Sequence, residues 1–112
     1  MSINSQDILQ DLLNNQRKDI IKIESYDKLK LVELKKLSNK FTDNIFLSKE
    51  CCDFTGKLNR SKPVIRFRGK YVNLRRLLYH NYIDNIVKQK KIYTLCKNEK
   101  CLNFLHYEIK IT

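Results

Sequence analysis

The sequence has no run approaching the ~20 apolar residues that a membrane-spanning helix needs, so no membrane helix is expected. Met1–Lys18 is too polar and acidic for a secretory leader, which points to a reducing, intracellular compartment. Alanine and tryptophan are absent. That bias, with its weight of Lys, Asn, Ile and Leu, says little about chemistry. It fits an A/T-rich coding sequence, as in some large DNA viruses, organelle genomes and parasites. Only two glycines and one proline occur, all after position 50, so nothing interrupts a helix in the N-terminal part. One hundred and twelve residues exclude an enzyme with separate cofactor and substrate lobes. Internal repeats and low-complexity linkers are missing as well.

Acidic residues are scarce where basic ones are dense. The chain carries 23 Lys and Arg against 12 Asp and Glu, a formal charge of +11. Residues 1–50 hold nine basic and eight acidic groups, whereas residues 51–112 hold fourteen and four. A field of that strength attracts nucleic acid through counterion release, or else an anionic membrane surface or an acidic protein. The basic residues lie in ordered-looking segments interleaved with aromatics rather than on an amphipathic tail, which favours nucleic acid.

Ser5 can cap a helix from about Gln6 to Ile23, with Ile8, Leu9, Leu12, Leu13, Ile20 and Ile21 at near-helical spacing. Asp7 and Asp11 lie near its positive N-terminal end. Ser25 can cap a second helix, roughly Tyr26 to Lys40, with Leu29, Val32, Leu34 and Leu37 as its apolar residues. Residues 1–50 are assigned to packing or to docking a protein partner. At Cys51 the hydrophobic spacing turns from helical to alternating. Pro63–Arg68 reads as a strand and Gly69–Lys70 as a turn before Tyr71 and Val72, giving a hairpin with Arg66 and Arg68 on one face. Leu74–Ile83 reads as a short helix, and Lys91–Leu95 and Tyr107–Ile111 as strands. The expected architecture is α+β, with two N-terminal helices ahead of a basic domain over residues 51–112.

Cysteines stand at 51, 52, 96 and 101, and a histidine at 106. The spacing Cys96-x4-Cys101-x4-His106 places three soft or borderline ligands in loop-prone sequence, with Cys51 or Cys52 available as a fourth. Zn2+ favours four tetrahedral sulfur and nitrogen ligands, and a set filled wholly by protein marks a structural ion. Disulfides are the weaker reading, because adjacent Cys51 and Cys52 would need separate partners; buried free thiols are another. His80 follows Arg75, Arg76 and Tyr79, where it can meet phosphate, act as acid or base, or simply sit at the surface. Tyr71, Tyr79, Tyr82 and Phe67 can stack on bases or belong to the core.

The stretch Cys51–Asn59 with its Phe54-Thr55-Gly56 turn, the basic hairpin Ile65–Lys70, the helix residues Arg75–Tyr79 and the closing Cys96-x-Asn98-x-x-Cys101-x-Asn103-x-x-His106 carry a resemblance. Together they resemble the zinc-containing His-Me finger (HNH) endonucleases of phages and homing introns, over residues 51–112 only. The resemblance implies Zn2+ ligands at Cys51, Cys96, Cys101 and His106. Cys51 is preferred to Cys52 because it stands four residues before Thr55, where the family has its cysteine.

Departures from the family pattern bear on activity. The family's general base is a histidine two residues before the first closing cysteine, and here that position is Thr94, whose hydroxyl cannot take a proton from water near neutral pH. A family histidine on the short helix is Arg75 here. The family's metal-holding helix after the last strand is not reached by Thr112. The expectation is a non-catalytic, zinc-stabilised nucleic-acid-binding protein, a subunit of a larger DNA- or RNA-containing assembly. In the family the corresponding sheet lies against DNA, and Smad-type domains likewise keep zinc and a DNA-binding hairpin without cleavage. The implied contacts are Lys57, Arg60, Lys62, Arg66, Arg68 and Lys70 on the ribbon, with Arg75 and Arg76 on the helix, to DNA or structured RNA. Nucleus, viral factory or virion, and organelle matrix are equally compatible settings. The alternatives are an active Mg2+-dependent nuclease using His80 or a group supplied by a partner, and a protein-interaction scaffold with a basic face.

Overall fold

Apolar residues three and four apart form helix α1 (Ser5–Asn15) and helix α2 (Leu31–Ser38), which pack together by burying Ile8 and Leu12 against Leu34 and Leu37. They belong to a computed structural model that describes residues 5–41, 45–46, 50–60, 62–87, 90–96 and 98–111. Both helices are shorter than their apolar spacing predicts. α1 ends at Asn15, and Ile21, expected on its buried face, is 57% exposed. Residues 16–30 form an irregular strap instead, with Glu24 in the left-handed region at a tight turn whose flanking residues Ile23 and Tyr26 bridge each other. The second helix starts at Leu31, where the Lys30 N–H donates to the Glu33 carboxylate at 2.8 Å.

The strap leaves the helical path because its polar groups are satisfied elsewhere. Asn81, fully buried, accepts at Oδ1 from the Leu29 N–H (2.9 Å) and the Gln16 amide (2.8 Å), and donates from Nδ2 to the carbonyls of Asp27 and Leu77, both at 3.0 Å. The Arg17 N–H bonds to the Asn81 carbonyl and its guanidinium to the His80 carbonyl. Tertiary bonds outweigh local propensity here.

The C-terminal part opens with a sheet in the order β1 (Leu58–Asn59), β2 (Lys62–Phe67), β3 (Lys70–Asn73), all antiparallel. Phe67 pairs with Lys70, so the turn is the two residues Arg68–Gly69, one position earlier than expected. Both have positive φ, 52° and 87°, the requirement of a hairpin turn matched to strand twist. Arg68 therefore stands in the turn, and the single face expected for Arg66 and Arg68 does not form. β3 runs directly into helix α3 (Leu74–Tyr82), whose N-cap Asn73 accepts from the Arg76 N–H. β4 (Lys90–Thr94) and β5 (Tyr107–Ile111) form a separate two-stranded ribbon, close to the strands expected there.

One hydrophobic cluster joins Ile8, Leu12, Leu34 and Leu37 to Phe54, Phe67, Val72, Leu77, Leu78 and Leu102. Described residues of 1–50 and of 51–112 thus share one core, into which both N-terminal helices pack. Tyr79 and Phe67 are buried in the protein interior, and Tyr82 packs on Phe46 and Phe104 while its hydroxyl donates to the Leu12 carbonyl. Of the four aromatics considered for base stacking, Tyr71 alone stays open, 54% exposed.

Replacing Asn81 by Ala would leave the buried Leu29 N–H and two carbonyls short of partners. The expected loss is about 2–4 kcal/mol, read from the urea midpoint. A change below about 0.5 kcal/mol would refute its role as the joint between strap and α3.

Candidate metal centre

Residues far apart in sequence converge because two backbone segments pair. The Phe54 N–H donates to the Lys100 carbonyl and the Leu102 N–H to the Cys52 carbonyl, both at 2.8 Å, with Asp53 bridging Cys101. A 3-10 turn over Phe104–His106 then swings His106 back toward this pair. The ligand atoms of Cys51, Cys96, Cys101 and His106 lie within 4.8 Å of one another. His106 Nδ1 is 3.3 Å from Cys101 Sγ and 3.5 Å from Cys51 Sγ. A tetrahedral ion with zinc-like bond lengths has an N···S edge of about 3.5 Å. Donor type, number and spacing therefore fit a metal site of three thiolate sulfurs and one imidazole nitrogen, compatible with structural zinc.

The electrostatics of the thiols point the same way. Burial pushes the Cys51 thiol up to about 12, and the adjoining Cys101 and Cys96 sulfurs add to the shift. Burial also raises Cys101. For Cys96 burial is outweighed by the Asn98 backbone N–H and by bonds from Cys51, His106 and Cys101, so its pKa falls to about 7. Three sulfurs this close cannot all ionise without a cation among them, and a divalent ion removes that repulsion.

The motif residues between the ligands shape the loop. The Asn98 side chain accepts from the Lys100 N–H at 3.0 Å and donates to Asp53 Oδ1 at 2.5 Å, while buried Asn103 donates to the Glu50 carbonyl at 2.6 Å. At Gly56 any Cβ would run into the Phe54 ring, which explains the aromatic-Thr-Gly turn. Cys52 lies outside the ligand group: it is fully buried and its thiol is 3.9 Å from the Glu50 carbonyl. Nothing in the residue order distinguished a further support, Arg75. It is 8% exposed, and its guanidinium donates to the carbonyls of Cys101 (2.9 Å) and Glu99.

Arg75, expected as a helix-borne nucleic-acid contact, is instead turned inward and braces the cysteine loop. Arg68 is also committed, to Asp27 at 2.7 Å, to Glu33 at 3.2 Å and to the Lys28 carbonyl. Arg76 lies over the Tyr26 ring at 5.5 Å. Lys57, Arg60, Lys62, Arg66 and Lys70 are exposed as expected, with Lys57 Nζ 4.3 Å above the Tyr71 ring. Thr94 closes β4 opposite Tyr107.

His80 is fully buried. Its Nδ1 accepts from the Ile86 N–H at 3.0 Å, which leaves Nε2–H to donate to the Ile21 carbonyl at 2.6 Å. Burial pushes its pKa below the usual range, with Arg17 adding and the Ile21 carbonyl opposing in part. Both ring nitrogens are structural, so the surface position expected for this histidine is corrected.

Protein purified under reducing conditions is expected to hold one tightly bound divalent ion per chain by elemental analysis. Cys101→Ser should abolish it and unfold residues 95–106, seen as lost amide protection. Because the folded pKa of His80 lies below its unfolded value of about 6.5, its contribution is present above that pH and is lost as pH falls through the folded pKa. NMR should find the Nε2–H tautomer at pH 6.5; an imidazolium there refutes the assignment.

Comparison with known protein families finds no matching family, and no solved structure matches. The chain is similar to the uncharacterized protein R328 of Acanthamoeba polyphaga mimivirus, 29% identical over 113 aligned positions. The match covers 94% of this chain and 32% of that protein, so the chain spans about a third of its relative's length.

Proposed function

We propose that this chain is a non-catalytic nucleic-acid-binding protein of His-Me-finger (HNH) type, held together by a structural Zn2+ on Cys51, Cys96, Cys101 and His106. The observation that carries the reading is the combination of a closed four-ligand set with a hairpin whose cations point outward. Three cysteines and a histidine fill a tetrahedron and leave no position for water, the mark of an ion that stabilises rather than reacts. The exposed cations Lys57, Arg60, Lys62, Arg66 and Lys70 lie on or beside one small sheet. Such a ribbon meets phosphates through charge and fixed geometry.

Two features favour binding without cleavage. Threonine occupies the place of the family's general base, and a hydroxyl does not take up a proton near neutral pH. The other histidine that a nuclease could use, His80, has both ring nitrogens engaged inside the core. The order hairpin, short helix, ribbon, with the ligand group tying the first segment to the last, supports the His-Me-finger assignment. The likeness to a viral protein is compatible with a viral setting.

The test is a salt titration of binding to duplex DNA and to a structured RNA hairpin, with a Mg2+ nicking assay on supercoiled plasmid beside it. Five exposed cations predict a log–log slope of about −4.5 on duplex DNA. Plasmid should stay intact. Weak, salt-insensitive binding, or nicking that His80→Ala removes, would overturn the proposal.

A further inference from the structure

α2 and the hairpin enclose a groove of about 540 Å3. Its floor is apolar, with Leu29, Phe54, Val64 and Phe67. Its walls carry Lys36 and Lys40 on the helix side and Lys57 and Arg66 on the hairpin side. Glu33 is the one carboxylate among the lining residues, and it is engaged with Arg68. Tyr71 stands at the hairpin wall, more than half exposed, with Lys57 Nζ 4.3 Å and Arg66 Cζ 6.0 Å from its ring centroid. The Phe41–Phe54 bridge and the Thr55 N–H bond to the Lys40 carbonyl (2.9 Å) fix the helix side against the hairpin side.

Resting on the nucleic-acid reading above, we infer that this groove holds a single strand, with a base stacked on Tyr71 and phosphates tracked by Lys36 and Lys40 opposite Lys57 and Arg66. Charge on two facing walls suits an anionic backbone running between them. The apolar floor and the exposed tyrosine, whose ring face a base takes as the Lys57 ammonium turns to a phosphate, suit unpaired bases, which present a free π-face that a duplex keeps inside its stack. A groove of this volume has no room for a double helix. Lys36 on α2 and Lys40 just after it belong to the N-terminal part, which the order of residues had assigned to packing or to docking a protein partner, so the inference adds a nucleic-acid surface there.

Anisotropy of the full metal-loaded chain, with fluorescein-labelled oligothymidylate and oligouridylate of about 12 nucleotides and a duplex of equal length, tests it. Unspecific electrostatics favours the more densely charged duplex, so tighter binding of the single strands is diagnostic. Tyr71→Leu should weaken single-strand binding about tenfold or more and leave duplex binding in place. Lys36→Gln with Lys40→Gln should flatten its log–log salt slope by about 1.4. These side chains are on the surface, and metal content with amide protection verifies that each variant folds. If Arg60→Gln and Lys62→Gln weaken every probe while the groove variants change none, the ribbon binds nucleic acid and the groove inference falls. Competition by polyglutamate as effective as by oligonucleotide would also overturn it, in favour of an acidic protein partner. Absence of salt-dependent binding to any probe would sink the nucleic-acid reading itself, and this one with it.

Discussion

The meeting of Cys51 with Cys96, Cys101 and His106 is the constraint on which the C-terminal half depends. It ties the first residue of that half to its last loop, with the hairpin and α3 between. A divalent ion held there would stabilise the folded chain by its binding free energy, because the unfolded chain has no preformed site. The need is visible in what lies beyond it. β4 and β5 pair with each other as a two-stranded ribbon, an element that is marginal on its own in water. The Leu95 N–H bond to the His106 carbonyl at 2.7 Å roots that ribbon directly in the ligand loop.

The same constraint sorts the positive charge. A half-chain with fourteen basic groups and four acidic ones must place them where repulsion is tolerable. Arg75 goes inward and neutralises the carbonyl dipoles of the cysteine loop. Arg68 crosses to the near-neutral N-terminal segment and meets Asp27 and Glu33 there. Exposed ion pairs contribute little singly, but this arginine has two carboxylates and a carbonyl, and its backbone is held in a left-handed turn. The Glu33 hydrogen bond comes first among the causes that raise the Arg68 pKa, and Arg68 in turn helps lower that of Asp27 against the effect of burial. The outward cations that remain face solvent as a set.

How much of this the residue order revealed depends on whether the determining interaction was local. The Cys96–His106 spacing was legible because ligand chemistry restricts residue type and reach, whereas spacing alone left Cys51 and Cys52 open and only the family resemblance chose between them. Tyr107–Ile111 was legible because its alternation is local, and the helix read over Leu74–Ile83 forms over Leu74–Tyr82. The end of α1 was not legible. Ile20 and Ile21 continue a helical period, yet the strap is set by Asn81, more than fifty residues away. The burial of Arg75 was equally hidden, since an arginine on a basic helix looks like a surface cation until the carbonyls of Glu99 and Cys101 arrive beside it. Lys36 and Lys40 gained their position only when Phe41 met Phe54.

α3 connects these separate facts. Its first turn sends Arg75 to the metal loop, and its last turn sends His80 and Asn81 to the strap. Through Leu29, which Asn81 anchors and which also lines the groove, the position of α2 is set from the far end of the same helix. Nine residues therefore hold both the ligand loop and the helix side of the groove. Among the described residues the buried side-chain polar atoms are satisfied, so the helix has little freedom to rotate without breaking bonds at both ends. Displacing Arg75 from the carbonyls of Cys101 and Glu99 would therefore act on the same helix that carries Asn81. The four-ligand group and the groove are thus joined through one helix, although no ligand atom lines the groove.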